Sequence, residues 1–440
     1  MSSALVLGAG LVARPLVRYL LDHDVHVRVA SRTVSKAQNL IADHPNGEAI
    51  EWTVDQTDRL RTMIGDTDLA ISLLPAAHHV EVAELCISLG KQMASTSYVS
   101  PEMRALDGGA KAAGIVVLNE CGVDPGIDHM SAMRIIHGVE KRGGKVVSFM
   151  SYCGGLPAPE SNTNPYGYKF SWSPRGVLLA GTNDGRYRKD GTDISVPGAE
   201  LFSHYWHLNV PGMDELEAYP NRDSLPYADL YGLGDIPTMF RGTLRNKGWC
   251  DTLKAIVELG YTDTKELDWS GKTFVDLGWH VLGTQPGGDL RAVVADRLRI
   301  AADSPVLERM AWLGLFSDEK IPIERGGAVD ILTARMLDLM PYAEGERDMI
   351  ILHHEFVAEY PNQPREGITS TLIDYGIPDG DSSMSRTVGL PVAIGSRMIL
   401  EGRFTKPGVW VPVIPELYNP ILDELETLGI KMVESSRTLA

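Results

Sequence analysis

Short apolar runs alternate with segments of helical periodicity through the first 120 residues. Between neighbouring runs, apolar residues recur at the spacing expected for helices with one buried face. A chain that alternates strands with helices favours a parallel sheet covered on both faces, an α/β fold. The runs lie at 4–8, 25–30, 49–54, 68–74, 91–96 and 114–119, and the helical segments at 11–22, 34–43, 57–64, 78–89 and 101–112. In such a doubly wound sheet, ligands bind beyond the carboxyl ends of the strands.

The pattern changes after this region. Residues 143–245 are rich in Gly, Pro, Tyr and Ser, and strand-like runs at 145–152 and 176–180 predict a mixed or antiparallel sheet with long loops. We expect Asp128 to cap a helix that leaves the first domain, and 382–402 to form a helix that begins at a serine cap. Further helical segments lie at 249–261, 289–302, 304–315 and 326–340, and a further strand-like run at 346–360.

Composition and charge narrow the class of protein. The chain has 440 residues, a net charge of −17 and a pI of about 5.2, which disfavour binding to nucleic acid or to an anionic membrane surface. Its four cysteines form no CxxC pair, so we expect a reducing compartment, no disulfide framework and no metal site. No signal peptide and no apolar run long enough to span a bilayer stands out. We therefore expect a soluble, cytoplasmic protein.

The first strand is followed by a glycine motif that is typical of dinucleotide sites. Gly8, Gly10 and Ala13 form GxGxxA between this strand and the first helix. Gly8 permits the tight turn, Gly10 lets the backbone approach a pyrophosphate, and Ala13 permits close packing of helix on sheet. The helix N-terminus offers N–H groups to phosphate oxygens. The alternative is an ordinary turn, which the position of the motif at the start of six alternating strands disfavours.

The end of the second strand indicates which dinucleotide binds. An NAD site usually places Asp or Glu there, hydrogen-bonded to the ribose 2′-hydroxyl. Here Ser31, Arg32 and Thr33 occupy that position. A guanidinium group pairs with a 2′-phosphate in forked geometry and stacks on adenine, and the two hydroxyls add donors. We therefore predict NADP(H) as the cofactor. The alternative is that Arg32 is a solvated surface residue.

Long motifs outside the glycine turn resemble those of a known family. They are NECGVDPGIDH (119–129), SYCGGLPAPESNTNPYGYKFSWSPRG (151–176), YPNRDS (219–224) and FRGTLR (240–245). Together with GAGLVARP, TSYVSPEMR, GERDMIILHHEF and SSMSRTVGLPVAI, they make the chain resemble the saccharopine dehydrogenase family, in its NADP-dependent, L-glutamate-forming branch. The resemblance extends from about residue 5 to about residue 430.

The resemblance implies an enzyme of lysine metabolism. Members of that branch interconvert saccharopine with L-glutamate and 2-aminoadipate 6-semialdehyde, by imine formation and hydride transfer. The implied organisation is a Rossmann domain at 1–127, a mixed α+β domain at 128–380 that binds substrate and forms a homodimer, and a segment at 381–440 that packs back on the Rossmann domain. A helical section of the second domain is expected at about 246–345.

The resemblance also implies which residues bind the ligands. Besides Gly8, its NADP contacts fall on Gly10, Leu11, Val12, Ser31, Arg32, Thr33, Val54, Leu74, Ser97, Val123, Asp124, Pro125 and Ser173. The contact after the third strand falls near Val54 and Asp55; the family pattern has an acid before the valine, whereas here Thr53 precedes Val54 and Asp55 follows it. Substrate contacts fall on Ser97, Tyr98, Asp124, Arg222, Thr243, Leu244 and Arg245.

The two arginines of this set suit a substrate with three carboxylates. Guanidinium groups bind carboxylates in forked pairs, so Arg222 and Arg245 are the expected anchors. The alternative is that each arginine forms an ion pair inside its own domain, Arg222 with Asp223 for example.

Proton transfer beside the nicotinamide requires titratable groups. Asp124, Tyr98 and Cys153 match site positions of the family and are the candidate catalytic residues. Asp124 could take a proton from the amine or orient water, and Tyr98 could donate to the carbinolamine oxygen. The alternatives are a turn-capping aspartate, a core tyrosine and an inert thiol. Which group is the acid stays open, and the substrate's own amine could carry the protons. Glu120 ends a strand, and the sequence suggests no role for it.

Two other functions fit parts of the sequence. One is another carbon–nitrogen oxidoreductase of the wider family, such as a carboxynorspermidine-type or opine-like synthase. The match of Arg222 and of 242–245 to the saccharopine branch disfavours it. The other is a non-catalytic NADP-binding scaffold, which would be expected to lose its substrate residues, whereas both sets are present here.

Overall fold

The computed structural model describes residues 1–439. Its helices are α1 (Ala13–Asp22), α2 (Val34–Ile41), α3 (Thr57–Gly65), α4 (His79–Leu89), α5 (Pro101–Ala105), α6 (Asp107–Ala113), α7 (Ile127–Lys141), α8 (Pro174–Ala180), α9 (Pro226–Leu230), α10 (Trp249–Glu258), α11 (Phe274–Leu282), α12 (Leu290–Leu298), α13 (Pro305–Trp312), α14 (Ala328–Leu339), α15 (Ser383–Leu400) and α16 (Pro415–Thr427). Its strands are β1 (Ser3–Leu7), β2 (His26–Ser31), β3 (Gly47–Glu51), β4 (Leu69–Ser72), β5 (Gln92–Ser95), β6 (Val116–Leu118), β7 (Lys145–Pro157), β8 (Gly185–Lys189), β9 (Thr192–Val196), β10 (Trp206–Leu208), β11 (Leu216–Pro220), β12 (Thr238–Asn246), β13 (Leu267–Asp268), β14 (Arg325–Gly326), β15 (Asp348–Glu359), β16 (Glu366–Tyr375), β17 (Gly408–Trp410) and β18 (Val433–Thr438).

The first six strands form a parallel sheet, as the alternation of strands and helices predicts. The strand order is β17-β6-β5-β4-β1-β2-β3, and β1 pairs in parallel with both β2 and β4. Chain order therefore reverses beside β1, as it does in doubly wound dinucleotide-binding sheets. Residues 4–7 of β1 are fully buried, because helices cover both faces of the sheet. The predicted Rossmann-type α/β fold is confirmed.

Two predictions about helices in this region are wrong. The segment at 101–112 forms two helices, α5 and α6, that meet at Leu106. Asp128 does not precede α7, which begins one residue earlier, after Gly126. The Oδ1 of Asp128 lies inside the first helical turn and accepts a hydrogen bond from the N–H of Gly126 at 2.5 Å. The carboxylate still satisfies a backbone donor at this end of α7, but from within the helix.

The C-terminal part of the chain extends the same sheet and covers it. β17 pairs in parallel with β6 and adds an edge strand that the sequence pattern did not predict. α15 begins at the predicted serine cap, where the Oγ of Ser382 accepts a hydrogen bond from the N–H of Ser385 at 3.0 Å. α15 packs against α1, the helix that follows the glycine turn.

The second sheet is mixed, as predicted. Its order is β10-β11-β12-β7-β15-β16-β18, with β8 and β9 joined at β12. β11 and β12 are antiparallel, β12 and β7 are parallel, and β15 and β16 are antiparallel. The run at 176–180 is helical, in α8, so the strand predicted there is wrong. Pro174 takes the first helical position, where its missing N–H costs nothing. α11 lies in the predicted helical section but was not predicted itself.

The chain divides into two units. The first comprises 1–145, 360–362 and 376–434, and the second comprises 146–359, 363–375 and the residues from Ser435 onward. The domain boundaries expected at residues 127 and 380 stay a prediction. None of the helices within residues 1–439 could cross a lipid bilayer.

Gly389 lets α15 lie against the first turn of α1. A Cβ at Gly389 would lie 2.8 Å from the carbonyl oxygen of Val12 and 3.3 Å from the N atom of Leu16. Because both are backbone atoms, we expect Gly389→Ala to lower the free energy of unfolding by about 1–3 kcal/mol, as overpacked cores do. Urea denaturation measures this change. In the control Gly138→Ala, the Cβ lies on an exposed helix face with no described atom within 4 Å. That variant should gain about 0.5–1 kcal/mol, and a similar loss in both variants would contradict the account.

Candidate active site

The turn after β1 has the geometry that its glycine motif requires. Gly8 has a φ of +111°, and its N–H donates to the carbonyl oxygen of Ala30 at 2.9 Å. A Cβ on Gly8 would lie 3.2 Å from the carbonyl oxygen of Leu73 in the turn after β4. A Cβ on Gly10 would meet no described atom within 4 Å. The turn therefore needs glycine at its first position, and the backbone at the second is open to an approaching ligand.

The residues around this turn fit a dinucleotide with a 2′-phosphate. No described side chain caps α1 at Val12. The N–H of Ala13 donates to the carbonyl oxygen of Gly10 at 3.2 Å and Pro15 has no N–H, so this end of the helix offers the N–H of Arg14 and the open backbone at Gly10 to phosphate oxygens. Leu11 is 69% exposed and offers an apolar surface beside the turn. Arg32 is exposed at the end of β2, and the Oγ of Ser31 accepts a hydrogen bond from the N–H of Thr33 at 3.3 Å. This set provides a cation and hydroxyls where a 2′-phosphate would lie.

The other predicted cofactor residues of this unit follow the neighbouring strands. Val54 lies exposed after β3, and Leu74 lies half-buried after β4. Val123, Asp124 and Pro125 lie in the loop after β6, a tight turn in which the N–H of residue 122 donates to the carbonyl oxygen of Pro125. The carboxyl ends of parallel strands meet at one edge of a sheet, so all of these residues lie along that edge.

A buried histidine that the sequence analysis missed lies at the same edge. The Nδ1 of His79 lies 2.8 Å from the Oγ of Ser72, and its Nε2 lies 2.8 Å from the Oγ of Ser97. Burial, and to a smaller extent the nearby His78, lowers the pKa of His79 to about 4. The imidazole is therefore neutral near pH 7, with one donor and one acceptor nitrogen. It orients the hydroxyl of Ser97, a predicted contact of both cofactor and substrate.

The structure brings two of the three candidate catalytic residues together. The hydroxyl of Tyr98 donates a hydrogen bond to the Oδ1 of Asp124 at 2.7 Å. Tyr98 lies in the loop after β5, and Asp124 lies in the loop after β6, which is the neighbouring strand. Both side chains are half-buried. A phenol bonded to a carboxylate can hold or pass a proton at the edge of a ligand site.

A buried carboxylate and imidazole lie behind the same two loops. The Oε2 of Glu120 lies 2.7 Å from the Nε2 of His129, and its Oε1 accepts a hydrogen bond from the N–H of Val99 at 2.8 Å. Both side chains are buried. No role for Glu120 is evident from the sequence. The sequence nevertheless contains a signal, because Glu120 directly follows an apolar strand and lies inside the motif at 119–129. An acid in that position predicts a buried charge that must be paired.

Strand pairing places the third candidate, Cys153, beside a predicted substrate residue in the second unit. Cys153 on β7 and Thr243 on β12 are register partners in the parallel pair, and Cys153 is half-buried. A Cβ on Gly154 would lie 2.8 Å from the Cβ of Leu244, so glycine allows β7 to approach β12 closely here. These two strands therefore present Cys153, Thr243 and Leu244 within a short stretch of the mixed sheet.

Arg245 is buried among aromatic rings. It is 4% exposed, and its Cζ lies 5.1 Å from the ring centroid of Tyr168 and 5.4 Å from that of Trp249. Its Nη1 donates to the carbonyl oxygen of Leu244 at 2.8 Å, while its Nε has no hydrogen-bond partner among residues 1–439. A buried guanidinium with an unsatisfied donor is costly unless an anion pairs with it. The environment of Arg245 therefore suits a carboxylate ligand.

Arg222 lies in the loop after β11 and is exposed. Its backbone has a φ of +55°, and its carbonyl oxygen accepts a hydrogen bond from the N–H of Arg186 at 2.8 Å. Asp223, the partner considered for Arg222 on sequence grounds, lies 3.7 Å from the guanidinium of Arg186. Ser173 directly precedes α8. The structure thus places Arg222 and Ser173 on loops of the second unit.

Family models match nearly the whole chain. Residues 4–118 match the model described as the saccharopine dehydrogenase NADP binding domain, and residues 122–430 match that described as the saccharopine dehydrogenase C-terminal domain. The chain belongs to the saccharopine dehydrogenase family. The resemblance predicted from the motifs is confirmed, and so is NADP as the cofactor of the first domain.

Curated members of this family match from end to end. The enzyme named saccharopine dehydrogenase [NADP(+), L-glutamate-forming] from Saccharomyces cerevisiae is 41% identical, over 99% of each chain. The enzyme of the same name from Schizosaccharomyces pombe is 38% identical, also over 99% of each chain. The apo crystal structure of saccharopine dehydrogenase (L-Glu forming) from Saccharomyces cerevisiae superposes with a TM-score of 0.89, at 40% identity and full coverage of both chains.

A longer relative matches nearly the whole of this chain over about half of its own length. The mouse protein named alpha-aminoadipic semialdehyde synthase, mitochondrial, is 36% identical over 97% of this chain, which corresponds to 47% of the mouse protein. The family therefore includes proteins in which this two-unit arrangement is part of a larger chain.

Arg32 gives a direct test of how this family member selects NADP. We expect Arg32→Glu to weaken NADP⁺ binding about 100-fold, because a charge-assisted bond is lost and a carboxylate faces the 2′-phosphate. Binding of NAD⁺, which lacks that phosphate, should change far less. Isothermal titration with both nucleotides measures the ratio. Arg61→Glu makes the same charge change on an exposed position of α3 and should leave both affinities unchanged. An unchanged NADP⁺/NAD⁺ ratio in Arg32→Glu would remove Arg32 from the site.

His79 gives this unit a pH-dependent stability. Its pKa is about 4 in the folded chain and near 6.5 when unfolded, so the unfolded state binds more protons between these values. The contribution of His79 is present above pH 6.5 and is lost as the pH falls toward 4. From pH 7 to pH 5, the wild-type chain should lose about 2 kcal/mol more unfolding free energy than His79→Gln. Urea denaturation of both proteins at the two pH values measures this difference, and parallel losses would show that His79 titrates normally.

Proposed function

We propose that this chain is an NADP-dependent, L-glutamate-forming saccharopine dehydrogenase of lysine metabolism. It interconverts saccharopine with L-glutamate and 2-aminoadipate 6-semialdehyde. The observation that carries the proposal is the end-to-end similarity, at 38% and 41% identity, to two enzymes that bear this name. The geometry of the site supports the proposal. Arg32 is exposed beside the glycine turn, where the cofactor is expected, and Arg245 is buried with an Nε that a carboxylate could pair with.

The cofactor is proposed to lie along the carboxyl edge of the parallel sheet. The pyrophosphate would contact the turn at Gly8, Gly10, Leu11 and Val12, where the backbone of Gly10 is open to a ligand and no described side chain caps α1. The adenosine part would contact Ser31, Arg32, Thr33 and Val54, and the nicotinamide part Leu74, Ser97, Val123, Asp124 and Pro125. Ser173 of the second unit is proposed as a further contact. When bound, NADP⁺ accepts the hydride that the substrate loses.

The substrate is proposed to be recognised mainly through its carboxylates. Arg245 has a buried guanidinium with an unsatisfied Nε, and a carboxylate would supply the missing acceptor. Arg222, which is exposed on its loop, would bind a second carboxylate. Thr243, Leu244, Ser97, Tyr98 and Asp124 complete the proposed substrate contacts. A buried charge without a partner raises the free energy of the complex. Arg245 is therefore expected to favour substrates with an anionic group over neutral amines.

The proposed chemistry is the oxidation of a carbon–nitrogen bond followed by hydrolysis. The carbon loses a hydride and the secondary amine loses a proton, which leaves an imine. Water adds to the imine carbon, and the carbon–nitrogen bond then breaks, with the amine leaving as L-glutamate and the carbon as the aldehyde. Over the cycle, saccharopine, NADP⁺ and water give L-glutamate, the semialdehyde, NADPH and one proton.

The hydrogen-bonded pair of Tyr98 and Asp124 is proposed to manage these protons. The carboxylate of Asp124 can take the amine proton or hold the attacking water, and the Tyr98 hydroxyl, 2.7 Å away, orients that carboxylate. Cys153 is proposed as a third group near the reacting atoms, opposite Thr243 on the neighbouring strand. The substrate amine itself can carry a proton, so the pair acts as much by orienting the reactants as by acid–base exchange.

We further propose that the chain works as a homodimer in the cytoplasm. The family resemblance supports the homodimer. The four cysteines are all free, which fits a reducing compartment. No nucleic acid or membrane partner is proposed, because the net charge of −17 disfavours polyanions.

Steady-state kinetics test the function and the role of Arg222 together. The chain should reduce NADP⁺ with saccharopine and not with diamines that lack the carboxylates. Arg222→Ala should raise the KM for saccharopine about ten- to hundredfold, the worth of a charge-assisted hydrogen bond, and leave the KM for NADP⁺ unchanged. Arg297→Ala removes the same charge from an exposed position of α12 in the same unit, and this matched control should change neither value. Equal weakening of both ligands by Arg222→Ala would make Arg222 structural, and absence of saccharopine oxidation by the wild-type chain would exclude the function.

A further inference from the structure

The hydrogen bond between Tyr98 and Asp124 joins two loops that have left the sheet. β5 ends at Ser95 and β6 ends at Leu118. Beyond the strands, the N–H of Cys121 still donates to the carbonyl oxygen of Ser95 at 3.3 Å, but this bond lies before Tyr98 and does not hold the segment that carries the phenol. A phenol and a carboxylate on separate loops keep a separation of 2.7 Å only if other contacts hold the loops together. The proposed function does not explain which contacts keep Tyr98 and Asp124 at this separation.

Glu120 contacts the backbone on both sides of Tyr98. The N–H of Glu120 donates to the carbonyl oxygen of Ser97 at 3.1 Å, and the Oε1 of Glu120 accepts from the N–H of Val99 at 2.8 Å. One residue thus binds the backbone immediately before and immediately after Tyr98. This arrangement limits both the position and the rotation of the segment that carries the phenol.

The same carboxylate is bound to the helix that follows Asp124. Its Oε2 lies 2.7 Å from the Nε2 of His129, in the first turn of α7. Asp124 lies in the loop between Glu120 and His129, so both ends of that loop are held. The loop is further closed by the N–H of Asp128, which donates to the carbonyl oxygen of Val123 at 3.0 Å. Glu120 therefore connects the loop that carries Tyr98 with the loop that carries Asp124.

The backbone and burial of Glu120 indicate that this arrangement is costly to maintain. Glu120 has a φ of +53°, in the left-handed region that a residue with a Cβ seldom adopts. Its side chain is 6% exposed and that of His129 is fully buried. A buried carboxylate is tolerated where donors satisfy it, and here Val99 and His129 provide them. The presence of an acid at this position is therefore explained by its hydrogen bonds to Val99 and His129 and not by contact with solvent.

We infer that Glu120 is a positioning residue for the reaction: its carboxylate, bound to Val99 and His129, holds the Tyr98 hydroxyl against Asp124. The inference rests on the proposed function for its catalytic consequence, and on the structure alone for the contacts. Glu120 acts through Tyr98, so the loss of its carboxylate should lower kcat while the glycine turn at 8–12 continues to bind NADP⁺.

A double-mutant cycle tests whether Glu120 acts through Tyr98. Glu120→Ala should lower kcat with saccharopine about 100-fold, as small misplacements of catalytic groups do, with little change in NADP⁺ affinity. Tyr98→Phe should lower it by its own factor, and the double variant should be no worse than the poorer single variant. Glu120→Gln, which retains an acceptor for the N–H of Val99, should recover most of the activity. If the two effects multiply in the double variant, Glu120 does not act through Tyr98.

Two further variants separate positioning from general destabilisation. Thr67→Ala removes a buried hydroxyl just after α3, where it donates to the carbonyl oxygen of Met63, and should leave kcat unchanged. A loss of kcat in Thr67→Ala equal to that in Glu120→Ala would overturn the inference. Should Glu120→Ala fail to fold, Glu120→Asp replaces it. That variant keeps the charge but is one methylene too short to bind both partners, and it should show the same non-additivity with Tyr98→Phe.

Amide hydrogen exchange tests the contacts without any turnover. The peptide that contains Val99 should exchange faster in Glu120→Ala than in the wild type, because the N–H of Val99 loses its acceptor. The same peptide in Thr67→Ala should match the wild type. Unchanged exchange in Glu120→Ala would overturn the inference. A wild-type chain that does not oxidise saccharopine would instead overturn the proposed function. In that case the exchange result alone would test the contacts of Glu120.

Discussion

The hydrogen bond between Tyr98 and Asp124 is the interaction on which the candidate site depends. It spans 2.7 Å between two loops that follow adjacent parallel strands, and Glu120 binds the backbone on both sides of the phenol. The parallel sheet explains why such a pair can exist, since neighbouring strands release their loops at the same edge. The carboxylate of Glu120 accounts for the defined geometry of the pair, because it binds the backbone next to Tyr98, where the two loops no longer pair as strands.

Charge placement follows one physical rule in both units. The chain is acidic overall, yet two of the groups proposed to bind anions, the N-terminus of α1 and the guanidinium of Arg245, lack a full set of hydrogen-bond partners among the described residues. The first helix presents uncapped N–H groups, and Arg245 presents an Nε without a described partner. In each case a ligand anion is proposed to complete the hydrogen bonding that the described residues leave incomplete, so that binding energy would come from groups with few other partners. His79 is the opposite case, because burial keeps it neutral and both of its ring nitrogens already lie 2.8 Å from the hydroxyls of Ser72 and Ser97.

The parts of the fold that local patterns determine were predictable from the sequence. Six strands of the parallel sheet followed from short apolar runs, and the start of α15 followed from a serine with the right spacing to the apolar face. The run at 176–180 was misassigned, because five apolar residues do not distinguish a strand from a helix without weighing Pro174 before them. β17 is three residues long and pairs with β6 across nearly 300 positions of sequence, which no local pattern reveals.

The residue types of the site could be predicted from the sequence, but the hydrogen bonds between its side chains could not. Ser31 to Thr33 indicated NADP because the chemistry of a 2′-phosphate constrains the residues near it. The motifs identified Tyr98 and Asp124, but their hydrogen bond depends on two loops that meet only in the folded sheet. Glu120 and His129 are separated by a turn that contains Gly122 and Gly126, and their pairing depends on the path of that turn. His79 escaped notice for the same reason, since Ser72 and Ser97 reach it from two different strands.

The identity of the reaction products tests the central claim most directly. Saccharopine can be oxidised at either carbon bonded to its secondary amine, and the two choices release different amino acids. Incubation of the wild-type chain with saccharopine and NADP⁺, followed by mass spectrometry of the products, distinguishes them. The account predicts L-glutamate and 2-aminoadipate 6-semialdehyde in equal amounts, one of each for every NADPH formed. Release of L-lysine and 2-oxoglutarate would contradict it.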